Sequence, residues 1–282
     1  MTNALLPSQA THDEQMIALC LHGRSERTQR AYKADIARFL AFAGKPLPLV
    51  TLGDLQMFAD SLDHLAPNSR KRTLSAVKSL LSKAQKIGYL QFNVGAALEL
   101  SSTKNTLGER ILSEEQVQRM LALETNGRNH AIMRLLYAAA LRCDELCGLT
   151  WADVQTRDAG AVLQVYGKGQ KTRYVLISQG TYDELRQLEG TRLPEAPVFV
   201  SNRGGRLADS QVWRIVKAAA KRAGLPAGVS PHWLRHAHAS HALDRGAPIS
   251  LVQTTLGHAS VQTTGKYLHA RPNESSGRYL SV

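Results

Sequence analysis

The second half of this 282-residue chain carries five short stretches dense in groups able to handle a phosphate: ALRCDELCGL, GKGQKTR, HWLRH, LGHAS and TTGKYLH. Arginine stays charged and presents a planar fork of donors that matches phosphate oxygens, so Arg142 and Arg235 are candidates for holding an anion. A phosphodiester resists attack by another oxygen, and a site acting without metal must neutralise the developing charge with fixed cations and donors. A tyrosine phenol, with an ordinary pKa of about 10, attacks only once cations or a base stabilise the phenolate. Taken singly, each stretch has a plain reading. An arginine can serve a surface ion pair, one of eight tyrosines can serve packing, and a glycine-flanked lysine such as Lys168 can serve a turn. His232 precedes Arg235 by three residues, which places both on one side of a helix and allows shared contact with one phosphate.

The histidines His232, His236, His238 and His241 invite a comparison with zinc sites, since His232 and His236 have the i,i+4 spacing of a helical metal pair. The glutamate of an HExxH motif is missing, because Trp233 stands in its place, so no metal is expected. His236 and His241 are read as structural. Cys20, Cys143 and Cys147 are too few for a disulfide framework, and no second pair follows Cys143 and Cys147 at zinc-finger spacing. They are read as reduced, buried thiols.

Such groups need elements to position them. The length predicts two domains, and a 43% hydrophobic content argues against disorder. No apolar run reaches the length of a membrane span and no secretory signal is visible at the start, so a cytoplasmic protein without membrane partners is expected. The net charge of +12 favours a polyanion such as nucleic acid. Residues 1 to 105 hold 13 Lys and Arg against 8 Asp and Glu, and residues 106 to 282 hold 22 against 15. Both halves are therefore basic, as two domains gripping one duplex would be.

Residues 1 to 22 have weak periodicity and are expected to be a flexible or loosely packed leading segment. Helical patterns follow over Ser25 to Phe42, from Thr51, and over Asn68 to Leu90, where Leu74, Val77, Leu81 and Ala84 form one apolar stripe. Lys71, Arg72, Lys78, Lys83 and Lys86 fall within an arc of roughly 140° on another side of that helix, a DNA-facing pattern. The Ser-, Thr- and Asn-rich segment around SSTKNTLGER reads as a linker. Beyond it, LSEEQVQRMLALE and Arg128 to about Leu141 predict helices, the latter continuing or restarting through CDELCGL. AVLQVYGKGQKTRYVLIS predicts a β-hairpin. Helices are predicted again from Gly180, over Asp209 to Ala223, Pro231 to Leu243, Pro248 to Leu256 and Val261 to Tyr267.

In their order, and with the nine-residue step from His258 to Tyr267, the five stretches resemble the tyrosine recombinases of the phage integrase family. The resemblance covers most of the chain, since a four-helix DNA-gripping domain of the kind that precedes these catalytic domains fits Ser25 to Val94. It implies a mainly α fold with a small β-hairpin or sheet, of the α+β class. The implied division is a leading segment 1–22, a helical core-DNA-binding domain 23–100, a linker 101–111, and a catalytic domain with C-terminal tail 112–282.

By the same resemblance Tyr267 is the nucleophile, forming a 3′-phosphotyrosyl link and freeing a 5′-hydroxyl, while Tyr279 lies outside the motif. Arg142 and Arg235 clamp the phosphate. Lys168 protonates the departing 5′-oxygen, His232 accepts the tyrosine proton or holds the phosphate, and His258 donates to a non-bridging oxygen. Glu145 orients the clamp, and Lys171 and Arg173 touch neighbouring phosphates. Three positions depart from the family pattern: Ala140 where glycine is common, Ala237 where a hydroxyl residue is frequent, and Val94 in place of proline. The implied activity is site-specific recombination through a Holliday junction, without metal, ATP or other cofactor. The implied partners are double-stranded DNA with a specific core site and a homotetramer, with or without a second recombinase. A compact Xer-like enzyme, bound at the nucleoid when on DNA, fits better than a large integrase. A type IB topoisomerase, a silent DNA-binding protein and a metal nuclease remain as alternatives. The 15 residues after Tyr267 are long enough to dock on a neighbouring protomer and time cleavage.

Overall fold

The computed structural model describes residues 9–100, 106–167, 171–190 and 193–268. Lys168 at the hairpin tip and the tail beyond Leu268 therefore lie outside the described residues. The chain forms two compact units, residues 1–104 and 105–282. As the sequence indicates, the fold is mainly helical with one small antiparallel sheet. No described helix is long and apolar enough to cross a membrane.

The first unit contains α1 (Asp13–Leu21), α2 (Glu26–Ala43), α3 (Leu52–Ser61) and α4 (Pro67–Lys86). Local chemistry sets the helix starts. Ser25 caps α2, Thr51 and Asp54 close a capping box on α3, and Pro67 occupies the first turn of α4, where a missing N–H leaves nothing unsatisfied. Phe39 and Phe58 meet edge to face at 5.1 Å and share a core with Leu74, Val77, Leu81 and Ala84, the expected stripe of α4.

The leading residues are not all loosely packed. Met16 and Cys20 of α1 are buried in this core, and the Asp13 carboxylate accepts from Tyr89 Oη at 2.6 Å and from the Leu47 N–H at 3.0 Å. Two long-range anchors thus fix a nine-residue helix whose own apolar pattern is weak.

The second unit contains α5 (Glu114–Ala122), α6 (Gly127–Ala138), α7 (Cys143–Gly148), the strands β1 (Val154–Arg157), β2 (Gly160–Tyr166) and β3 (Thr172–Ser178), then α8 (Gln179–Glu189), α9 (Asp209–Arg222), α10 (Pro231–Asp244), α11 (Ile249–Leu256) and α12 (Val261–Gly265). Residues 106–111, expected in the linker, belong to this unit, and Ile111 is buried. Its main core gathers Leu135 and Leu136 of α6, Leu163 of β2, Val175 of β3 and Val216 of α9.

The sheet has the order β1-β2-β3, one strand more than the predicted hairpin. Gly160 takes φ 136°, and a β-carbon there would lie 2.1 Å from the Ile177 carbonyl oxygen, so only glycine lets β1 fold back onto β2 beside β3. In β3, Arg173, Val175 and Ile177 alternate inward, opposite Val165, Leu163 and Ala161 of β2. A guanidinium is thereby carried on the buried face of a strand.

Candidate active site

The site begins where α6 stops. Ala140 takes φ 50°, a left-handed value that costs a residue with a β-carbon about 1–2 kcal/mol. This bend directs the chain into α7 with Arg142 at its N-cap. Glycine at this position would relieve the strain but lose a buried methyl, worth about 0.8 kcal/mol, and add freedom to the unfolded chain. Ala140→Gly is therefore expected to change unfolding stability by less than about 1 kcal/mol. Ala140→Val should lose at least about 2 kcal/mol through strain and overpacking, and urea unfolding of both variants checks this.

Glu145, one turn into α7, organises three arginines. Its carboxylate accepts from the Arg142 N–H at 2.8 Å, from Arg142 Nη1 at 2.6 Å, and from Arg173 Nη1 and Nη2 at 2.7 and 2.8 Å. Arg235 Nη1 stands 4.0 Å away. Burial alone would raise the Glu145 pKa; the Arg173 hydrogen bonds, the Arg142 N–H and both guanidinium charges outweigh it and hold the carboxyl at about 2.

The C-terminal end of α11 supplies the remaining acceptors, as the negative end of a helix can. Arg173 Nε donates to the Thr255 carbonyl at 2.8 Å and Arg142 Nη2 to the Leu256 carbonyl at 3.4 Å, while Arg235 donates to the carbonyls of Leu256 and Ala140. Gly257, at φ 63°, lets Arg173 lie against the backbone, since a β-carbon there would come within 3.2 Å of Arg173 Cδ.

Three guanidiniums thus share one carboxylate. The Arg142 side chain is 32% exposed, whereas those of Arg173 and Arg235 are 8% and 5% exposed, so Arg142 is the one that faces solvent. Burial, followed by repulsion from Arg142, lowers the Arg235 pKa to about 10 even with Glu145 nearby. Crowded cations of this kind leave net positive charge around a single carboxylate.

Tyr267 follows α12 and is 6% exposed. Burial raises its phenol pKa, and the charge of Arg235 opposes that rise. His258 lies parallel to its ring at 6.4 Å, and its Nδ1 contacts Thr264 Oγ1 at 2.9 Å. Burial, then Arg235, Arg142 and Arg173, lower the His258 pKa to about 4. On α10, His236 Nδ1 is 2.8 Å from Tyr267 Oη, and the exposed His232 stacks on His236 with ring centres 6.4 Å apart.

Arg142, Glu145, Arg235, His258 and Tyr267 are thus gathered in one site, and His232 joins them through His236. Lys168 lies outside the described residues. Lys171 is exposed, but Arg173 is not placed to touch a phosphate, because it is buried and committed to Glu145 and Thr255. The alternation of β3 was the available signal for its inward direction. His241 is buried with Nδ1 2.9 Å from Tyr137 Oη, whereas His236, read as structural beside it, contacts the phenol itself. On α4, Lys71, Arg72, Lys83 and Lys86 are exposed. Arg72 pairs with Asp35 at 3.2 Å, and the half-buried Lys78 donates to the Leu98 carbonyl. Cys20, Cys143 and Cys147 are buried and in no disulfide.

Comparison with known proteins gives this arrangement its context. Residues 110–274 match the phage integrase family, and residues 19–86 match the phage integrase N-terminal SAM-like domain. The chain is 33% identical to tyrosine recombinase XerC of Thermodesulfovibrio yellowstonii, covering 88% of this chain and 87% of that protein. It is 36% identical to XerC of Corynebacterium efficiens, with 92% and 85% covered. Among solved structures, a XerA recombinase aligns at 26% identity over 94% of both chains with a TM-score of 0.52. A lambda integrase dimer bound to a COC′ core site aligns at 20% identity over 93% and 95% with a TM-score of 0.75, a likeness of fold. The chain belongs to the phage integrase family as a tyrosine-type site-specific recombinase.

Proposed function

We propose that the protein cuts and rejoins double-stranded DNA at a specific core site through a 3′-phosphotyrosyl link on Tyr267, exchanging strands through a Holliday junction within a homotetramer, with or without a second recombinase. The observation that carries this reading is the cluster of three guanidiniums on Glu145 beside the Tyr267 phenol. Arg142 and Arg235 hold the scissile phosphate, His258 donates to a non-bridging oxygen, and His232 assists from the exposed side. Lys168 gives a proton to the departing 5′-oxygen. Glu145 and Arg173 keep the clamp in register. The phosphotyrosyl link conserves bond energy, so neither ATP nor metal takes part. Acting on chromosomal DNA, the enzyme would work in the cytoplasm, at the nucleoid.

The experiment is covalent capture. A duplex is selected from randomised sequences by the protein itself, nicked to trap cleavage, and incubated with the protein in EDTA. A denaturant-stable adduct is expected, and its absence on a duplex that is bound tightly would count against strand cleavage.

The first unit would grip DNA through α4. Because each lost phosphate contact reduces the number of released counterions, Lys83→Ala and Lys86→Ala should each weaken binding across sequences and lower the slope of log K against log salt by about 1. Lys71 and Arg72 flank the same face, and Lys171 would act similarly near the hairpin. Lys78→Ala should change the slope less, because its ammonium is engaged by the Leu98 carbonyl. Binding titrations at several salt concentrations check both statements.

A further inference from the structure

We propose that His236 is a catalytic residue whose Nδ1 takes the proton from the Tyr267 phenol as that oxygen bonds to phosphorus. The inference rests on the strand-cleavage reading above and assigns the nucleophile's base to a side chain beside the HWLRH arginine. Two other histidines belong to the site: His258 beside the tyrosine ring, and His232, which joins it through His236. His258 lies parallel to the tyrosine ring, with 6° between the planes and 6.4 Å between the centres, and its Nδ1 contacts Thr264. His232 stacks on the far partner, His236. His236 Nδ1 is at hydrogen-bond distance from the reacting oxygen, 2.8 Å, on a helix that also carries Arg235.

The surroundings favour a base that waits for substrate. His236 faces His232 and Arg235 of its own helix, Arg110 ahead of α5, His258 after α11, and Tyr267 itself. Burial, and then the charges of His232, Arg235, Arg110 and His258 when protonated, lower its pKa to about 4, so at neutral pH the imidazole is uncharged, and with its hydrogen on Nε2 it can accept at Nδ1. A phosphate held by Arg142 and Arg235 offsets the neighbouring cations and raises the proton affinity of His236. Attack lowers the proton affinity of the phenol at the same moment. The Oη–P bond forms as the P–O5′ bond breaks, the phenolic proton moves to Nδ1, and the departing 5′-oxygen takes its proton from Lys168.

The test uses the full-length protein, the nicked duplex described above, and single-turnover measurement of the covalent adduct. His236→Ala and His236→Asn are expected to bind the duplex as the parent does and to form the adduct on the order of 100-fold more slowly. Asparagine keeps an acceptor for the phenol but cannot take its proton. Added imidazole should restore part of the rate to His236→Ala. A duplex with sulfur at the 5′-bridging position has a leaving group that needs no proton, so it should rescue Lys168→Ala and leave both His236 variants slow. The inference is overturned if His236→Asn cleaves at the parent rate, if the sulfur substrate rescues His236→Ala, or if both variants lose duplex binding. Failure of the unaltered protein to form any adduct would defeat the strand-cleavage reading, and this inference with it.

Discussion

Arg235→Ala should slow covalent cleavage of the nicked duplex by about a thousandfold or more, since removing even one preorganised donor to a developing oxyanion costs roughly 100- to 1,000-fold and this change also removes a buried charge. The same substitution leaves the Ala140 and Leu256 carbonyls short of a donor, so some stability is lost with activity. Arg235→Lys separates the two effects. Lysine keeps the charge but not the planar fork, so that variant should unfold near the parent temperature and still cleave about 100-fold more slowly. Single-turnover rates beside thermal unfolding make the comparison. A lysine variant that cleaves at the parent rate would show that the fork is not used.

Glu145→Gln should be the most destabilising conservative change in the catalytic unit. The side chain is 1% exposed and is the shared counter-charge of Arg142, Arg173 and, at 4.0 Å, Arg235. Breaking a buried ion pair by removing one partner costs about 3–5 kcal/mol, which in a unit of this size corresponds to a fall in melting temperature on the order of 10 °C. Cleavage should fall as well, because the guanidiniums lose the carboxylate that sets their direction. The pH dependence has a defined sign. With the folded carboxyl at about 2 against an ordinary 4.5, its contribution is complete above pH 4.5 and is lost as pH falls toward 2. The parent should therefore lose stability more steeply than Glu145→Gln across that window, as melting curves at successive pH values would report.

Helix boundaries and motif residues were legible because their signals are local. Ser25 and Thr51 cap the helices they were expected to start, and the α4 stripe packs as its spacing indicates. The five chemical stretches supplied Arg142, Arg235, His258 and Tyr267 by type and order. Ala140, noted in the sequence as standing where glycine is common, takes the left-handed turn for which glycine is suited.

What escaped depends on distant partners. Nothing local in α1 announces that Asp13 will meet Tyr89 and Leu47. The edge strand β1 is mostly exposed and polar, so it lacks an alternating pattern, and Gly160 gains its meaning from the Ile177 carbonyl across the sheet. Arg173 was misdirected because a basic residue beside a glycine-rich turn suggests a phosphate, although the alternation of β3 turns it inward. His236 looked like one histidine among four until the fold brought Tyr267 to its ring.

The identity of the nucleophile is tested most directly by locating the nucleotide on the protein. After capture on the nicked duplex, nuclease and trypsin digestion should leave a tryptic peptide beginning at Tyr267, because Lys266 precedes it, while the Tyr279 peptide is released separately. The expected result is a nucleotide mass on Tyr267 and no adduct from Tyr267→Phe. A nucleotide on Tyr279 or another residue, or an undiminished adduct from Tyr267→Phe, would contradict the assignment.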